Sequence, residues 1–285
     1  MLAFASNSLL CRAALKHTSI DAASFTFVRI FSGTIVLCLV MNFLRMIQTT
    51  QSVGIGGNWI SALALLLYAG GFSFAYVAVA AGIGALLLFG AVQATMILWG
   101  FRMGERLRAI QILGLSVAIT GLVVLLFPGL SSPPLFGSIL MLGSGVAWGV
   151  YSLRGRRETN PAIATTGNFV RAVPFAAAVS IIFLPWLHLD LIGVIYAVIS
   201  GAVTSGLGYV IWYTVLPSLK AASAATVQLS VPVLTAAGGI LLLGEPLTLR
   251  YVLASAAVLG GIALVVVEKN RAHPDPCDSR LDVRQ

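Results

Sequence analysis

Residues Ala221–Val267 read AASAATVQLSVPVLTAAGGILLLGEPLTLRYVLASAAVLGGIALVVV, and this stretch decides the fold. One apolar run ends at Gly244-Glu245-Pro246-Leu247, and a second begins at Leu249. Each run approaches the roughly 20 residues that an α-helix needs to cross a ~30 Å hydrocarbon layer. Only helices and closed barrels satisfy their own backbone polar groups in that solvent, so the stretch predicts two spanning helices joined by a tight turn. The same arrangement stands 140 positions earlier, where Gly104-Glu105-Arg106-Leu107 separates the apolar runs Ile83–Phe101 and Ile110–Phe127. A chain that repeats this unit is read as a duplicated membrane protein.

Composition agrees. Hydrophobic residues make up 59% of the 285 and charged residues 9%, with a mean hydropathy of +0.99. Soluble domains carry about 25% charge, so the chain falls in the membrane class. Ten spans are read, from Leu2–Leu15 to Leu249–Val267, and they include Trp59–Ala81, Leu191–Leu216 and Ala221–Leu243. They leave only short loops and a polar tail, 268–285, read as disordered. The net charge of +8 comes from short basic clusters between apolar runs, which is the footprint of the positive-inside rule rather than of nucleic-acid binding. With the N-terminus in the cytoplasm, twelve Lys and Arg side chains fall on the cytoplasmic side. Only Arg12, Lys16 and Arg250 fall outside. The termini are therefore expected in the cytoplasm and the protein in a bacterial inner membrane.

The duplication divides the chain into 1–130 and 131–267. Arg12 and Arg29 lie 17 apart, as do Arg154 and Arg171, at an offset of 142; Gly121 falls on Gly261 at an offset of 140. Five spans per unit is an odd number, so the halves must thread the membrane in opposite directions. That is the inverted-repeat plan on which alternating-access transporters are built. The expected fold is all-α: ten transmembrane helices in two inverted five-helix repeats around a central cavity.

Two segments carry a family resemblance. GILLLGEPLTLRYVLASAAVLGGIALVVV (239–267), preceded by Gln228 and Pro232, resembles the second repeat of the EamA branch of the drug/metabolite transporter superfamily. WGFRMGERLRAIQILGLSVAITGLVVLL (99–126) is similar to the first. The resemblance implies ten helices, inverted repeats and export of amino acids or small metabolites. Within that branch, Trp148-Gly149-Val150-Tyr151 and Gly208-Tyr209-Val210-Ile211-Trp212 resemble helices of YddG-type aromatic amino-acid exporters. The chain departs from the pattern in two places, with Ala5 and Ser6 where a Trp is common and Val92 where a Pro is usual.

Polar side chains are costly in hydrocarbon and tend to face a cavity or a partner. Asn7, Gln93 and Gln228 offer amides that donate and accept, as an amino-acid zwitterion requires; the alternative is that each joins two helices. Tyr76, Phe89, Trp148, Tyr151, Tyr209 and Trp212 sit inside spans and are candidates to wall an apolar pocket, against ordinary packing. Arg29 and Arg171 are the charges well inside spans. Each costs about 2.5–3.5 kcal/mol at a helix centre on insertion scales. Their place near a helix start suits snorkelling to the headgroups, or a clamp on a neighbouring helix's carbonyls. Glu105 and Glu245, in the turns, are expected to cap helix ends or pair with Arg106, Arg108 or Arg250. Small residues four apart, Ser116/Thr120, Gly143/Ala147 and Gly201/Ser205, are candidate close contacts between helices.

No carboxylate lies mid-span, so the proton relay common in coupled transporters has no candidate, and transport is expected to be facilitative or weakly coupled. The sequence contains no G-x-x-x-x-G-K-[ST] loop, no metal-ligand cluster and no nucleophile elbow. No enzymatic activity, cofactor or metal is expected. The expected partners are a small-molecule substrate and the lipid bilayer; the sequence leaves the oligomeric state open, a monomer being compatible with it. Competing readings are a multidrug or nucleotide-sugar carrier of the same superfamily and a non-transporting membrane scaffold.

Overall fold

The computed structural model describes residues 1–48, 56–104, 108–127, 132–156, 158, 160–215 and 227–272. All regular structure among them is helical. In chain order the helices are α1 (Leu2–His17), α2 (Ala22–Gln48), α3 (Trp59–Tyr76), α4 (Ala81–Arg102), α5 (Ala109–Leu126), α6 (Leu135–Gly155) and α7 (Pro161–Ile182). Then follow α8 (Leu191–Ile199), a π-helical segment (Ser200–Leu207) and α9 (Gly208–Val215), which together form one rod, and finally α10 (Ser230–Leu243) and α11 (Leu249–Ala272).

Eight of these helices are long and apolar enough to cross a membrane. The other two predicted spans are shorter: α1 has 16 residues and α10 has 14, residues 221–226 of its predicted span lying outside the described residues. Large apolar side chains, among them Phe31, Leu39, Phe43, Leu113, Leu241 and Leu242, point outward. Asn7, Arg29, Gln93, Asn168, Ser200 and Thr204 are buried. Apolar outside and polar inside is the arrangement a lipid solvent selects.

Local signals set most helix ends. Asn58, Asn160 (with Pro161 following) and Asp190 cap α3, α7 and α8, their side-chain oxygens accepting from the backbone N–H three residues on, as N-caps do. Gly104 and Gly244 both have positive φ, +92° and +61°, and neither would meet a neighbour if it carried a Cβ. The glycine of each predicted turn is therefore there for backbone conformation. Glu105 lies outside the described residues.

The predicted span Trp59–Ala81 ends five residues early. α3 stops at Tyr76 and α4 starts at Ala81, without a proline or turn glycine between them. Tertiary contacts make this break. Arg12 Nη1 donates to the carbonyls of Tyr76 and Val77 at 2.8 and 2.9 Å. Both Glu245 carboxylate oxygens accept from the Ala81 N–H, at 3.0 and 2.8 Å. Arg12 Nε and Glu245 Oε1 then close the bridge at 3.2 Å. An ion pair from two distant parts of the chain thus caps the end of one helix and the start of the next.

Helix packing follows the small residues, though not all those expected. α5 and α11 meet closely where a Cβ on Gly114 or Gly261 would strike the other's carbonyl. Ser116 and Thr120, on the outward face of α5, are exposed. So is Gly143, with open space around it, whereas Gly145 faces the α4 backbone at Leu88. Gly201 does lie at a contact, against the carbonyl of Arg29. α1 packs on α10 and the π segment, α6 on α3 and α4, and α2 on α7 and the π segment. These contacts bring α1, α2, α3, α6 and the 191–215 rod together around one centre.

Candidate functional site

The centre is a cluster of aromatic rings with one buried guanidinium. The ring of Tyr68 lies 4.7 Å from that of Trp148, which stacks on Tyr151 at 5.5 Å and meets Tyr209 at 5.2 Å. Phe4 touches Trp148, Tyr209 and Trp212 at 6.1, 5.9 and 6.0 Å. On the other side of Tyr68, Phe72 follows at 5.6 Å, and Tyr76 packs edge-on to Phe72 at 4.6 Å. These separations and tilts are the offset and edge-to-face geometries that ring quadrupoles favour.

Arg29 is 2% exposed and so does not snorkel, as its place near a helix start suggests it should. Its guanidinium carbon sits 5.3 and 5.0 Å from the ring centroids of Tyr68 and Phe72, within cation–π range. Nε donates to Ser205 Oγ and Nη2 to the Tyr68 hydroxyl, both at 3.2 Å, while Nη1 has no partner. The neighbours leave it no route outward: the π segment lies on the α2 backbone through Gly201, and the rings of α3 cover its other side.

The π segment also serves Asn7. Ser200 Oγ and Thr204 Oγ1 donate to Asn7 Oδ1 at 2.7 and 3.2 Å, and Asn7 Nδ2 donates weakly to the Tyr68 hydroxyl at 3.4 Å. A π turn closes i→i+5 bonds rather than i→i−4 ones, so Ser200, Thr204 and Ser205 all face inward toward α1 and α2. Asn7 is thereby engaged in holding helices together.

The residues singled out by sequence divide into two groups. Trp148, Tyr151, Tyr209, Trp212, Tyr76 and Asn7 join the cluster directly or through Phe4, Phe72 and Tyr68. Gln93 (4% exposed) and Phe89 (5%) are buried but make no ring contact or hydrogen bond with it; Gln93 Nε2 has no partner. Gln228 is half-buried ahead of α10, also without a bond to the cluster. Where the central cavity is expected, the described rings named to line it pack against one another. A hollow of about 410 Å3 lies elsewhere, among Leu15, Ile20, Asp21, Phe74, Val77, Phe183 and Trp186. Tyr68 and Phe4 were not legible as site residues, since nothing local distinguishes them from packing aromatics. Arg29 carried a signal, the cost of a mid-span charge, that reads equally well as structural.

Arg171 behaves as a clamp. Its Nη1 donates to the carbonyls of Gly56 and Gly167 at 2.6 and 3.0 Å, and its guanidinium lies 5.9 Å from the Trp59 ring. Arg154 ties the same end together, reaching Ser61 Oγ and Asn58 Oδ1 at 2.9 and 3.0 Å. Glu245 differs from expectation in its partner, which is Arg12 and not Arg250. Arg250 donates instead to the carbonyls of Val124 and Phe127. Trp59 and Trp186, at helix ends, are largely exposed.

Residues 135–267 match the model of the EamA-like transporter family. The chain is 54% identical over 269 residues to an uncharacterized protein of Pseudomonas aeruginosa (94% of this chain, 92% of that one). It belongs to the EamA-like transporter family. It is also 27% identical to a probable amino-acid metabolite efflux pump of Escherichia coli (strain K12), over 65% of this chain and 67% of that one. A crystal structure superposes with a TM-score of 0.63 at 19% identity, covering 94% of this chain and 98% of that one, a likeness of fold alone. This EamA-like transporter is therefore a multi-pass membrane transporter, with an all-helical structure and a buried aromatic centre.

Proposed function

We propose that this transporter exports amino acids with apolar or aromatic side chains, and related small metabolites, by alternating access. In this reading ten helices form two inverted five-helix halves, 1–130 and 131–267, in a bacterial inner membrane with both termini cytoplasmic. The observation that carries the reading is the ring cluster itself. Phe4, Tyr68 and Phe72 come from one half and Trp148, Tyr151 and Tyr209 from the other, and they meet around Arg29 in the interior. An apolar pocket with a few placed polar groups is what a small-molecule site needs, and rings that touch are the closed form of such a pocket.

The packing supports the paired halves. Exchanging the first five helices for the last five maps the contacts α3–α6 and α4–α6 onto those of the 191–215 rod and α10 with α1, while α2–α7, α4–α10 and α5–α11 map onto themselves; all are present. The relative named as an amino-acid metabolite efflux pump supports both the direction and the substrate class.

Purified protein in liposomes tests the reading. Uptake of labelled phenylalanine and leucine, but not of lipophilic cations or nucleotide sugars, is the expected result; the reverse pattern replaces it with the multidrug or nucleotide-sugar alternative. Trp148→Ala is expected to lower amino-acid uptake at least about tenfold, the scale on which one aromatic wall contributes to a site. A scaffold would take up nothing in either form. Collapsing the pH gradient is expected to leave flux largely unchanged, and strict dependence on the gradient would defeat the facilitative mechanism.

A further inference from the structure

Arg29 is a buried cation without an anion. Among the described residues the one ion pair is Arg12–Glu245, and both hydrogen-bond acceptors of Arg29, Ser205 and Tyr68, are neutral hydroxyls. Buried charges in proteins are ordinarily paired, and an intramembrane one marks a substrate or ion path unless a partner is named. Nη1, with two N–H bonds, has no acceptor. The Tyr209 hydroxyl belongs to the ring packed on Trp148 beside Tyr68, near the guanidinium and the Tyr68 hydroxyl, and is also without a hydrogen-bond partner.

We infer that Arg29 Nη1 and the Tyr209 hydroxyl form a carboxylate-binding site, and that this transporter selects apolar monocarboxylates by that group. The inference rests on the proposed export function and narrows it. A guanidinium presents planar paired donors that match a carboxylate, and such charge-assisted bonds are roughly twice as strong as neutral ones. Ser205 and Tyr68 hold Nε and Nη2, so the fork is already oriented. The walls beside it, Phe4, Trp148 and Phe169, suit an aromatic or aliphatic body; Phe169 lies 5.7 Å from Tyr209.

The same geometry does not recognise an ammonium group. Asn7 Oδ1 already accepts two hydrogen bonds, and the carboxylate beside the cluster, Glu245 next to Tyr76, is already taken by Arg12 and the Ala81 N–H. The ring faces of Tyr68 and Phe72 are taken by Arg29 itself. A substrate's carboxylate is thus required and its amino group dispensable. Oxo, hydroxy and des-amino acids fall within the substrate class.

The test compares three probes of one skeleton: phenylalanine, 3-phenylpropionate, which lacks the amino group, and phenethylamine, which lacks the carboxylate. In competition with labelled phenylalanine in proteoliposomes, 3-phenylpropionate is expected to match phenylalanine within about threefold and phenethylamine to be at least about tenfold weaker, the loss expected when a charge-assisted pair is removed. Equal or stronger competition by the amine overturns the inference. Binding is read separately, as the rise in melting temperature that each probe produces in detergent. Wild type is expected to rise with the acid and Arg29→Met not to, while Arg29→Met alone melts at or above wild type because an unpaired buried charge has been removed. Should Arg29→Met not fold, Arg29→Lys, which keeps the charge without the fork, is expected to show a reduced rise, and an undiminished one overturns the site. A rise with the acid in wild type but no labelled uptake ends the export reading and leaves the site standing. Uptake with no preference for the acid over the amine does the opposite.

Discussion

Arg29 and Arg171 lie 142 residues apart (171 − 29), at matching places in the two halves, and the tertiary structure uses them differently. Arg171 grips the carbonyls of Gly56 and Gly167 near a helix end. Arg29 is enclosed by rings and hydroxyls with one nitrogen unpartnered. The difference traces to the residue one turn earlier. Gly167 has no side chain, so the 56–58 segment can rest on α7 there; a Cβ at that place would collide with the Gly56 carbonyl. That contact delivers a backbone acceptor to Arg171. The residue one turn before Arg29 is Phe25, a large side chain that is fully buried where Gly167 has none. One arginine therefore finds main chain and becomes a structural clamp, and the other is left with a spare donor facing the centre.

The comparison can be broken directly. Replacing Arg29 by Met is expected to reduce amino-acid uptake by two orders of magnitude or more, about 3 kcal/mol for a lost charge-assisted site, with no loss of stability. The same change at Arg171 is expected to leave uptake per folded molecule within about threefold and lower stability by about 1.5–3 kcal/mol, the worth of hydrogen bonds from a charged group. Uptake assays beside thermal melts in detergent check both, and reversed assignments would end the distinction.

The Arg12–Glu245 bridge stands at one end of the bundle as Arg154 with Asn58 and Ser61 stands at the other. Glu245 is 8% exposed, so Arg12→Ala leaves a buried carboxylate unpaired, expected to destabilise by about 3–5 kcal/mol. The double change Arg12→Ala/Glu245→Gln is expected to recover part of that loss, and strict additivity would show that the two act independently. Gly167→Ala sharpens the arginine comparison. It is expected to push the 56–58 segment off α7 and cost about 1–3 kcal/mol as an overpacked contact, with Arg171→Met adding little on top.

The smallest effect concerns the loop between α1 and α2. Partial burial would raise the Asp21 pKa, but hydrogen bonds from the backbone of Ser24, His188 and Ala23 and from the Ser24 side chain outweigh it and hold it below its ordinary value. A depressed carboxylate stabilises the fold above its unfolded pKa and loses that contribution as pH falls through the folded one. Asp21→Asn is therefore expected to lower the melting temperature slightly at pH 7 and to match wild type at pH values below the ordinary carboxylate range.

Much of the helical framework was legible because lipid imposes it. An apolar run of about 20 residues has few options in hydrocarbon, so composition and the two Gly-Glu turns predicted spans that the structure largely reproduces. The positive φ of Gly104 and Gly244 was written in the residue type. The break between α3 and α4 was not legible, because Tyr76 to Ala81 contains no local breaker and the caps come from Arg12 and Glu245 elsewhere in the chain. The contact faces of α5 and α6 lie two positions from the small residues the spacing singles out, at Gly114, Ala118 and Gly145, for a related reason: Ser116, Thr120 and Gly143 are small enough, but which face meets a neighbour depends on how the whole bundle is wound.

The candidate site divides along the same line. Trp148, Tyr151 and Tyr209 were visible as aromatics at helical spacing inside spans, and Asn7 as an amide that hydrocarbon makes expensive. Their convergence was not, since contacts between residues some 60 to 200 positions apart leave no trace in local spacing. By itself the sequence determined the solvent, the element type and the identity of the expensive side chains, all properties of single helices. Only the tertiary structure decided which charge stays unpaired, because pairing depends on what the neighbouring helices bring within hydrogen-bond reach.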